Sequence, residues 1–199
     1  TTKVFLEVGA NVFGCFYSEA DERAYKIGAI DDVMEFANRN GYSQRFSAIN
    51  FDIANKISAD TIVRSAIDSF GRIDILCNFA GIAFFEAFDE VSRERYQRTL
   101  DVNLTSHFFL TQAAVKVMRE NVLEYSYSSR GSIINMTSVT GVHVGEDGVS
   151  PYAITKAGMS ALTKSLATEL GLDRIRVNCI SPGSILTPIN FRDYNDPIR

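Results

Sequence analysis

Short apolar runs recur along the chain, and longer stretches between them carry apolar residues at every third or fourth position. Apolar runs of this length, rich in β-branched and aromatic residues, predict strands. The predicted strands lie at 12–17, 43–50, 73–77, 132–136 and 176–180. The longer stretches predict helices. These lie at 19–40, 59–70, 92–120 and 150–170, and Gly41 and Gly71 end the first two.

Strands that alternate with helices of this length indicate parallel pairing through crossover connections rather than hairpins. The strand runs are apolar on both faces, which is typical of a sheet that helices cover on both sides. The pattern therefore predicts an α/β fold. In detail, we expect a three-layer, doubly wound, Rossmann-type parallel sheet in one domain over residues 1–199.

Both ends of this domain are expected to be incomplete. Residues 1–7 predict the last turns of a helix that enters Gly9, and no closing strand follows Pro197. A doubly wound sheet has its first strand at its centre, so we expect that strand to be missing here. Gly9 and Gly14 do not replace a glycine-rich phosphate loop, because they precede a strand and not a helix N-terminus.

The composition is that of a globular domain and argues against nucleic-acid-binding and membrane proteins. The chain has 199 residues, 46% of them apolar and 22% charged, which is ordinary for a globular domain. A net charge of -4 gives no basic surface for nucleic acid. No apolar run approaches the ~18 residues of a membrane span, and residues 1–9 lack the pattern of a secretion signal. We expect no nucleic-acid or membrane partner.

Cysteine and histidine usage argues against disulfides and metals. Cys15, Cys77 and Cys179 are scattered over three apolar runs, which predicts reduced thiols in buried strands and a cytoplasmic protein. His107 and His143 are the two histidines, and no cysteines cluster near them. A zinc site, or any other metal site, is therefore not expected.

The candidate chemistry begins on the last predicted helix. Tyr152 and Lys156 are four residues apart, so their side chains share one helix face. Ser150 is expected to cap this helix, with Pro151 in its first turn. A phenol with a pKa near 10 is a poor proton-transfer group at neutral pH. A nearby ammonium favours the phenolate, so Lys156 is expected to lower the pKa of Tyr152.

Two further residues complete the constellation. Ser138 follows a strand, at the carboxyl edge where open α/β sheets bind their ligands. Its hydroxyl can donate to a substrate carbonyl or alkoxide oxygen. Asn103, within Asp101-Val102-Asn103-Leu104, is the fourth residue, although taken alone it would be a helix cap or turn residue.

These residues and their spacing resemble the short-chain dehydrogenase/reductase family, in its branch with single-domain subunits. The resemblance runs from about Thr1 to Thr187. Besides Ser138, Tyr152, Lys156 and Asn103, it rests on two loops and one strand-end acid. They are Asn78-Phe79-Ala80-Gly81, Ser181-Pro182-Gly183-Ser184-Ile185 followed by Thr187, and Asp52. Tyr-x-x-x-Lys alone is weak evidence, whereas all of these pieces in order are strong.

The resemblance implies an NAD(P)-dependent oxidoreductase that interconverts an alcohol and a carbonyl. Tyr152 would be the general acid or base, Lys156 would lower its pKa and hold the nicotinamide ribose, and Ser138 would hold the reacting oxygen. Asn103 would anchor a water in a proton path from Lys156. The remaining cofactor-binding positions implied are Asp52 at the adenine, Asn78, Ala80 and Gly81 at the adenosine ribose, and Pro182, Gly183, Ile185 and Thr187 at the nicotinamide. A homotetramer or homodimer is implied in the same way.

The departures from the family pattern leave two questions open. Phe79 replaces the second Asn of Asn-Asn-Ala-Gly, and without a glycine-rich loop the pyrophosphate has no cradle. A non-catalytic, truncated Rossmann protein is therefore an alternative. The second strand of the family normally ends in an acid that takes the ribose 2′-hydroxyl. This chain has no acid there until Glu19 and no Arg either, which favours NADP slightly over NAD.

Several of these residues also have purely structural explanations, and the residues that would meet the substrate are not settled by the sequence. Asp52 could cap the following turn, and Asn78 could tie neighbouring strands together. His143, Glu146 and Asp147 could bind sugar or polyol hydroxyls or form a solvated loop. The aromatic residues after the Asn-x-Ala-Gly turn could line a substrate wall or simply pack. They are Phe84, Phe85 and Phe88.

The substrate prediction rests on the C-terminal pattern. The segment Thr187-Pro188-Ile189-Asn190, with Asp193 and Asp196, resembles that of sugar and polyol dehydrogenases of the family. 3-Oxoacyl reductases are the alternative within the same family. The longer sugar-nucleotide epimerases share Tyr-x-x-x-Lys, but this chain has an early Pro-Gly loop and no room for their substrate domain.

Overall fold

Parallel strands connected by helices organise the chain, as a computed structural model shows for residues 1–17, 30–123, 125 and 128–185. The strands are β1 (Val12–Phe16), β2 (Phe46–Asn50), β3 (Ile75–Asn78), β4 (Gly131–Met136) and β5 (Ile175–Ile180). The helices are α1 (Thr2–Glu7), α2 (Ile30–Arg39), α3 (Ser58–Phe70), α4 (Arg93–Leu100), α5 (Ser106–Met118) and α6 (Ser150–Glu169). A π-helical turn, Asp101–Thr105, joins α4 to α5.

The described strands pair in two parallel ladders. β1 pairs with β2, with Val12 opposite Phe46. β4 lies between β3 and β5, with Ile75 opposite Ser132 and Gly131 opposite Ile175. Helices connect the strands of both ladders, so the predicted α/β fold of Rossmann type is confirmed. Within the described residues, no helix is long and apolar enough to cross a bilayer.

Several predicted element boundaries were wrong or incomplete. Residues 43–45 form a 3-10 turn, and strand pairing begins at Phe46. Ser150 is the first helical residue of α6 and not its cap, because Val149 occupies the N-cap position and makes no side-chain cap bond. The predicted helix at 92–120 is capped by Ser92 but broken by the π-helical turn. The predicted helix at 19–40 begins at residues outside the described part and is seen from Ile30 onward.

The main core lies between α5, α6 and the β3–β4–β5 ladder. Its buried side chains are Val115, Met118, Ile133, Leu170, Ile175 and Val177. Gly131 is required at the start of β4, since a Cβ there would lie 2.4 Å from the sulfur of Met118. This packing places the start of β4 against the end of α5.

The cysteines are all free, as predicted, but not all are buried. Cys15 in β1 and Cys77 in β3 are half-buried, and burial raises the pKa of Cys15 to about 11. Cys179 is exposed, so the predicted burial is wrong there. It lies near the carboxyl end of β5, beyond the buried positions Ile175 and Val177.

Candidate active site

A pocket of about 330 Å³ opens at the carboxyl ends of β3, β4 and β5. This is the edge at which parallel α/β sheets bind ligands. Its lining comes from the segment after β3, the loop after β4, α6 and the loop after β5. Those residues are Phe79, Gly81, Ala83, Phe85, Met136, Thr137, Ser138, Val139, Thr140, Glu146, Val149, Tyr152, Lys156, Pro182, Gly183, Ser184 and Ile185.

Ser138 lies two residues beyond the end of β4 and is 9% exposed. Its Oγ accepts a hydrogen bond from the backbone N–H of Thr140 at 3.1 Å. A hydrogen bond to Ser138 also favours the ionised form of Tyr152. The structure therefore brings Ser138 and Tyr152 together, although they are distant in sequence.

Lys156 lies at the bottom of the pocket with 3% of its surface exposed. Its Nζ donates to the carbonyl oxygen of Met136 at 2.8 Å and lies 5.3 Å from the centroid of the Tyr152 ring. Burial lowers the pKa of Lys156 to about 8. The helical spacing thus places phenol and ammonium side by side, as predicted.

The predicted direction of the Tyr152 pKa was wrong for the protein alone. Burial raises this pKa above its ordinary value, and the negative charge of Glu146 raises it further. The hydrogen bond with Ser138 acts in the opposite direction and does not offset burial. Desolvation of the phenolate is therefore the largest effect on this pKa. The prediction rested on helix spacing, which does not report burial.

Asn103 lies in the π-helical turn and is fully buried. Its Oδ1 accepts from the backbone N–H of Ile82 at 2.8 Å, and its Nδ2 donates to the Ile82 carbonyl at 2.8 Å and to Thr155 Oγ1 at 3.3 Å. This amide joins the segment after β3 to α6. Its place in a proton path stays a prediction.

Asn78 ties neighbouring elements together. Its Nδ2 donates to Asn135 Oδ1 on β4 at 2.8 Å and to Thr111 Oγ1 on α5 at 2.9 Å. Asn135 in turn donates to Thr163 on α6 at 2.9 Å. The strand-tying explanation is therefore confirmed, and a role toward the cofactor stays a prediction.

Sequence reasoning missed His107, which it considered only as a metal ligand. The ring is 1% exposed, and its Nε2 lies 2.8 Å from the carbonyl oxygen of Ala80. Burial lowers the pKa of His107 to about 4, so the ring is neutral and Nε2–H donates to that carbonyl. The sequence feature that could have drawn attention to His107 is its position one helical turn after Asn103.

Asp52 follows β2 and is already engaged by two groups. Its Oδ1 accepts from the backbone N–H of Ala54 at 2.9 Å, and its Oδ2 pairs with Arg98 on α4 at 2.8 Å. The turn-capping explanation is thus confirmed, and an adenine contact remains a prediction.

The loop after β5 lines the pocket with Pro182, Gly183 and Ile185. Thr187 lies outside the described residues. The Pro182 carbonyl accepts from the N–H of Val139 at 3.0 Å, which holds this loop against the one after β4.

The floor of the pocket fits the nicotinamide riboside end of a dinucleotide. A Cβ at Gly81 would lie 3.5 Å from Asn103 Oδ1 and 3.7 Å from Lys156 Nζ, at ordinary contact distance, so Gly81 borders both side chains. A Cβ at Gly183 would meet nothing within 4 Å. The Lys156 ammonium has three N–H donors, and one bonds within the described residues. Ribose hydroxyls match this donor set.

Of the loop residues proposed to meet the substrate, Glu146 lines the pocket, whereas His143 and Asp147 do not. Among the aromatic residues, Phe85 lines the pocket. Phe84 packs beneath the guanidinium of Arg95, and Phe88 is 83% exposed. We call the segment 139–149 the outer wall, and Asn103, Ser138, Tyr152 and Lys156 the floor.

Comparison with known proteins agrees with this geometry. A family model described as enoyl-(acyl carrier protein) reductase matches residues 1–197. An L-rhamnose 1-dehydrogenase (NAD(P)(+)) of Azotobacter vinelandii is 35% identical over 180 residues, which are 90% of this chain and 66% of the relative. A (2S)-[(R)-hydroxy(phenyl)methyl]succinyl-CoA dehydrogenase subunit of Thauera aromatica is 41% identical over 138 residues, 69% of this chain and 52% of the relative.

A crystal structure from Sinorhizobium meliloti 1021, provisionally named a short-chain alcohol dehydrogenase, superposes with a TM-score of 0.81. It is 27% identical, and the match covers 98% of this chain and 70% of that one. The chain spans about half to two thirds of the length of the two curated relatives. The fold, the pocket and these matches lead to one conclusion: the chain belongs to the short-chain dehydrogenase/reductase family.

Proposed function

We propose that this protein is an NAD(P)-dependent oxidoreductase that interconverts an alcohol and a carbonyl. The observation that carries this proposal is the meeting of Ser138, Tyr152 and Lys156 at one pocket beyond β4. A hydroxyl donor, a phenol and an ammonium beside an open space are the groups that proton transfer to or from an alcohol requires.

Ser138, Tyr152 and Lys156 have different tasks in the proposed alcohol oxidation. Ser138 orients the alcohol oxygen by hydrogen bonding, while the Tyr152 phenolate removes the hydroxyl proton. The carbon loses a hydride as the carbonyl forms. The nicotinamide cofactor, when bound, supplies the acceptor for that hydride, and in the reverse direction its donor. Lys156, with its ammonium 5.3 Å from the phenol ring, offsets the phenolate charge.

Lys156 and the loop after β5 would hold the cofactor. Among the residues that the structure describes, one N–H group of the ammonium is bonded, which leaves two for ribose hydroxyls, and Pro182, Gly183 and Ile185 line the adjacent space. Asp52, Asn78, Ala80, Gly81 and Thr187 are proposed for the rest of the cofactor. We favour NADP slightly over NAD, because β1 ends at Phe16 with no acidic residue before Glu19.

A sugar or polyol is the proposed substrate. The relative in A. vinelandii is named for L-rhamnose, and Glu146 brings a hydrogen-bond acceptor into the pocket. A second candidate is a 3-oxoacyl reductase-like activity. It is favoured by the acyl carrier protein in the family description and by the succinyl-CoA thioester in the name of the T. aromatica relative.

We propose that the protein works as a homotetramer or homodimer in the cytoplasm. Large apolar side chains remain exposed on α5 and α6. They are Phe108 (45%), Phe109 (52%) and Ile154 (51%). A second copy that covered these faces would remove this apolar surface from water. The three free cysteines suit a reducing compartment.

A substrate screen tests the activity. We would follow nicotinamide absorbance with the purified protein, using NAD⁺ and NADP⁺ with sugars and polyols, and NADPH with 3-oxoacyl thioesters. Turnover of sugars or polyols is the expected result. Turnover of thioesters alone would favour the second candidate. Absence of turnover in every class, together with no NAD(P)H binding by fluorescence, would overturn the proposal in favour of a non-catalytic protein.

A further inference from the structure

The outer wall places a carboxylate in a pocket whose other lining is mostly uncharged. Glu146 and Lys156 are the charged residues among the lining side chains. Lys156 lies on the floor and bonds to Met136. The wall around Glu146 includes apolar side chains such as Phe85 and Val149. A carboxylate that faced an apolar substrate would lose hydration without compensation.

Thr140 holds this carboxylate in position. Its Oγ1 donates to Glu146 Oε2 at 2.7 Å, while its backbone N–H donates to Ser138 Oγ at 3.1 Å. One residue therefore fixes both the substrate-facing acid and the hydroxyl that orients the reacting oxygen.

The loop that carries Glu146 is tied down on both sides. On one side, Val144 N–H donates to the carbonyl of Val139 at 3.0 Å. On the other, Glu86 N–H donates to the carbonyl of Gly148 at 2.9 Å, and Gly148 has a φ of +73°. A side chain fixed by its own loop in this way is preorganised for a ligand.

The carboxylate retains acceptor capacity and charge. An ionised carboxylate offers about four acceptor positions, and Thr140 occupies one of them. Among the residues that the structure describes, none of the ion pairs involves Glu146. The charge of Glu146 also acts on Tyr152, so it lies within electrostatic reach of the reacting atoms.

Resting on the proposed function, we infer that Glu146 determines substrate specificity by accepting a hydrogen bond from a second hydroxyl near the reacting carbon. A cyclic sugar or polyol supplies such a hydroxyl, and its C–H face suits the apolar side chains beside Glu146. The same carboxylate disfavours substrates that carry a carboxylate at that position, because the two negative charges repel each other.

Matched substrate pairs test this assignment. We would measure kcat/KM for cyclohexane-1,2-diol and cyclohexane-1,3-diol against 2-methyl- and 3-methylcyclohexanol, which replace the second hydroxyl by a methyl group of similar size. We expect at least one diol to exceed its methyl partner by about tenfold or more, as for hydrogen bonds to a charged group. In Glu146→Ala the diol-to-methyl ratio should fall toward one.

Asp147→Asn is the matched control. It removes the same charge from the neighbouring position, which does not line the pocket. The ratio should stay within about twofold of the unsubstituted protein, since surface changes of this kind have small effects. A ratio that is near one before substitution, or that falls equally in Asp147→Asn, would overturn the role of Glu146 while alcohol turnover itself still stood.

An anionic substrate distinguishes two effects of substituting Glu146: the loss of its negative charge and damage to the loop that carries it. In Glu146→Gln, kcat/KM for 2-hydroxycyclohexanecarboxylate should rise relative to that for 2-methylcyclohexanol, whereas a disrupted loop would lower kcat/KM for both compounds. A decrease in that ratio would contradict the assignment.

Ligand-observed NMR of the diols and methylcyclohexanols gives their relative dissociation constants without turnover. The expected preference for a diol, lost in Glu146→Ala, would support the assignment even if the proposed activity failed. Equal binding of both partners in the unsubstituted protein would overturn it.

Discussion

The floor and the outer wall of the pocket differ in how they are held. Asn103, Ser138 and Lys156 of the floor are buried, at 0%, 9% and 3% exposure, whereas Tyr152 is half-buried. The side chains of Asn103 and Lys156 bond to backbone groups of other elements. The outer wall is exposed over residues 143–147 and is held chiefly by short-range bonds within its own loop. The two parts of the pocket thus differ in burial and in the range of the bonds that hold them, and we expect the wall to tolerate substitution better than the floor.

The largest expected difference in activity between the two regions comes from replacing Lys156, the buried cation of the floor. In Lys156→Met the phenolate of Tyr152 loses its neighbouring positive charge, and we expect kcat/KM for alcohol oxidation to fall by about 10³-fold. Steady-state kinetics would measure this. Lys164→Met, on the exposed side of the same helix, is the control and should leave the rate unchanged. Equal losses of kcat/KM in Lys156→Met and Lys164→Met would show that the floor has no special role in the reaction.

Gly141 is a closely packed point of the wall. Its φ is +82°, and a Cβ there would lie 2.3 Å from the carbonyl oxygen of Ala153. Gly141→Ala should therefore lower the free energy of unfolding by about 2–3 kcal/mol, as measured by urea denaturation. Gly145 has open space around it, so Gly145→Ala should change that free energy by about 0.5 kcal/mol or less. Similar losses for both would show that contact with α6 does not hold the wall.

The free energy of unfolding should also fall in acid because of His107, which is buried one helical turn after Asn103. Burial lowers its pKa to about 4 from an ordinary 6.5, so the unfolded chain binds a proton first as pH falls. Between pH 7 and pH 5 this costs about 2 kcal/mol of the free energy of unfolding, and the loss continues to about pH 4. His107→Leu should remove that part of the acid loss.

Urea midpoints at the two pH values measure this effect of His107. His143, which is exposed, provides the control when it is replaced by Leu. An unchanged acid loss in His107→Leu would mean that the imidazole is not buried in its neutral form.

The smallest expected effect is that of Glu146, a wall residue, on the pKa of Tyr152, a floor residue. Glu146 raises the pKa of Tyr152, so Glu146→Gln should lower it. Oxidation requires the phenolate and speeds up as pH rises through that pKa. The rising limb of the kcat/KM–pH profile should consequently move to lower pH, and a shift to higher pH would contradict the electrostatic link. Asp147→Asn should move the limb less.

The sequence allowed the floor to be predicted better than the wall, for physical reasons. Tyr152 and Lys156 share a helix face by spacing alone, and strand ends of a parallel sheet converge by topology. Burial is a property of the whole fold, so the raised pKa of Tyr152 and the neutral His107 could not be derived from local pattern. The link from Thr140 to Glu146 depends on a loop conformation that no periodicity encodes.

The π-helical turn at Asn103 shows the same limit. The apolar pattern over 92–120 predicted one helix, and the pattern is indeed continuous. The extra residue in the turn carries Asn103 toward Ile82, where its amide meets both backbone groups. Such insertions are set by tertiary bonds and frequently occur at functional sites.

Turnover by Tyr152→Phe tests the central claim most directly, because the change removes one oxygen and keeps the ring. The account predicts that alcohol oxidation falls by about 10³-fold or more, while NADPH binding by fluorescence and the melting temperature stay unchanged. Undiminished oxidation by this variant would show that the phenol does not move the proton, and the proposed chemistry of the floor would be wrong.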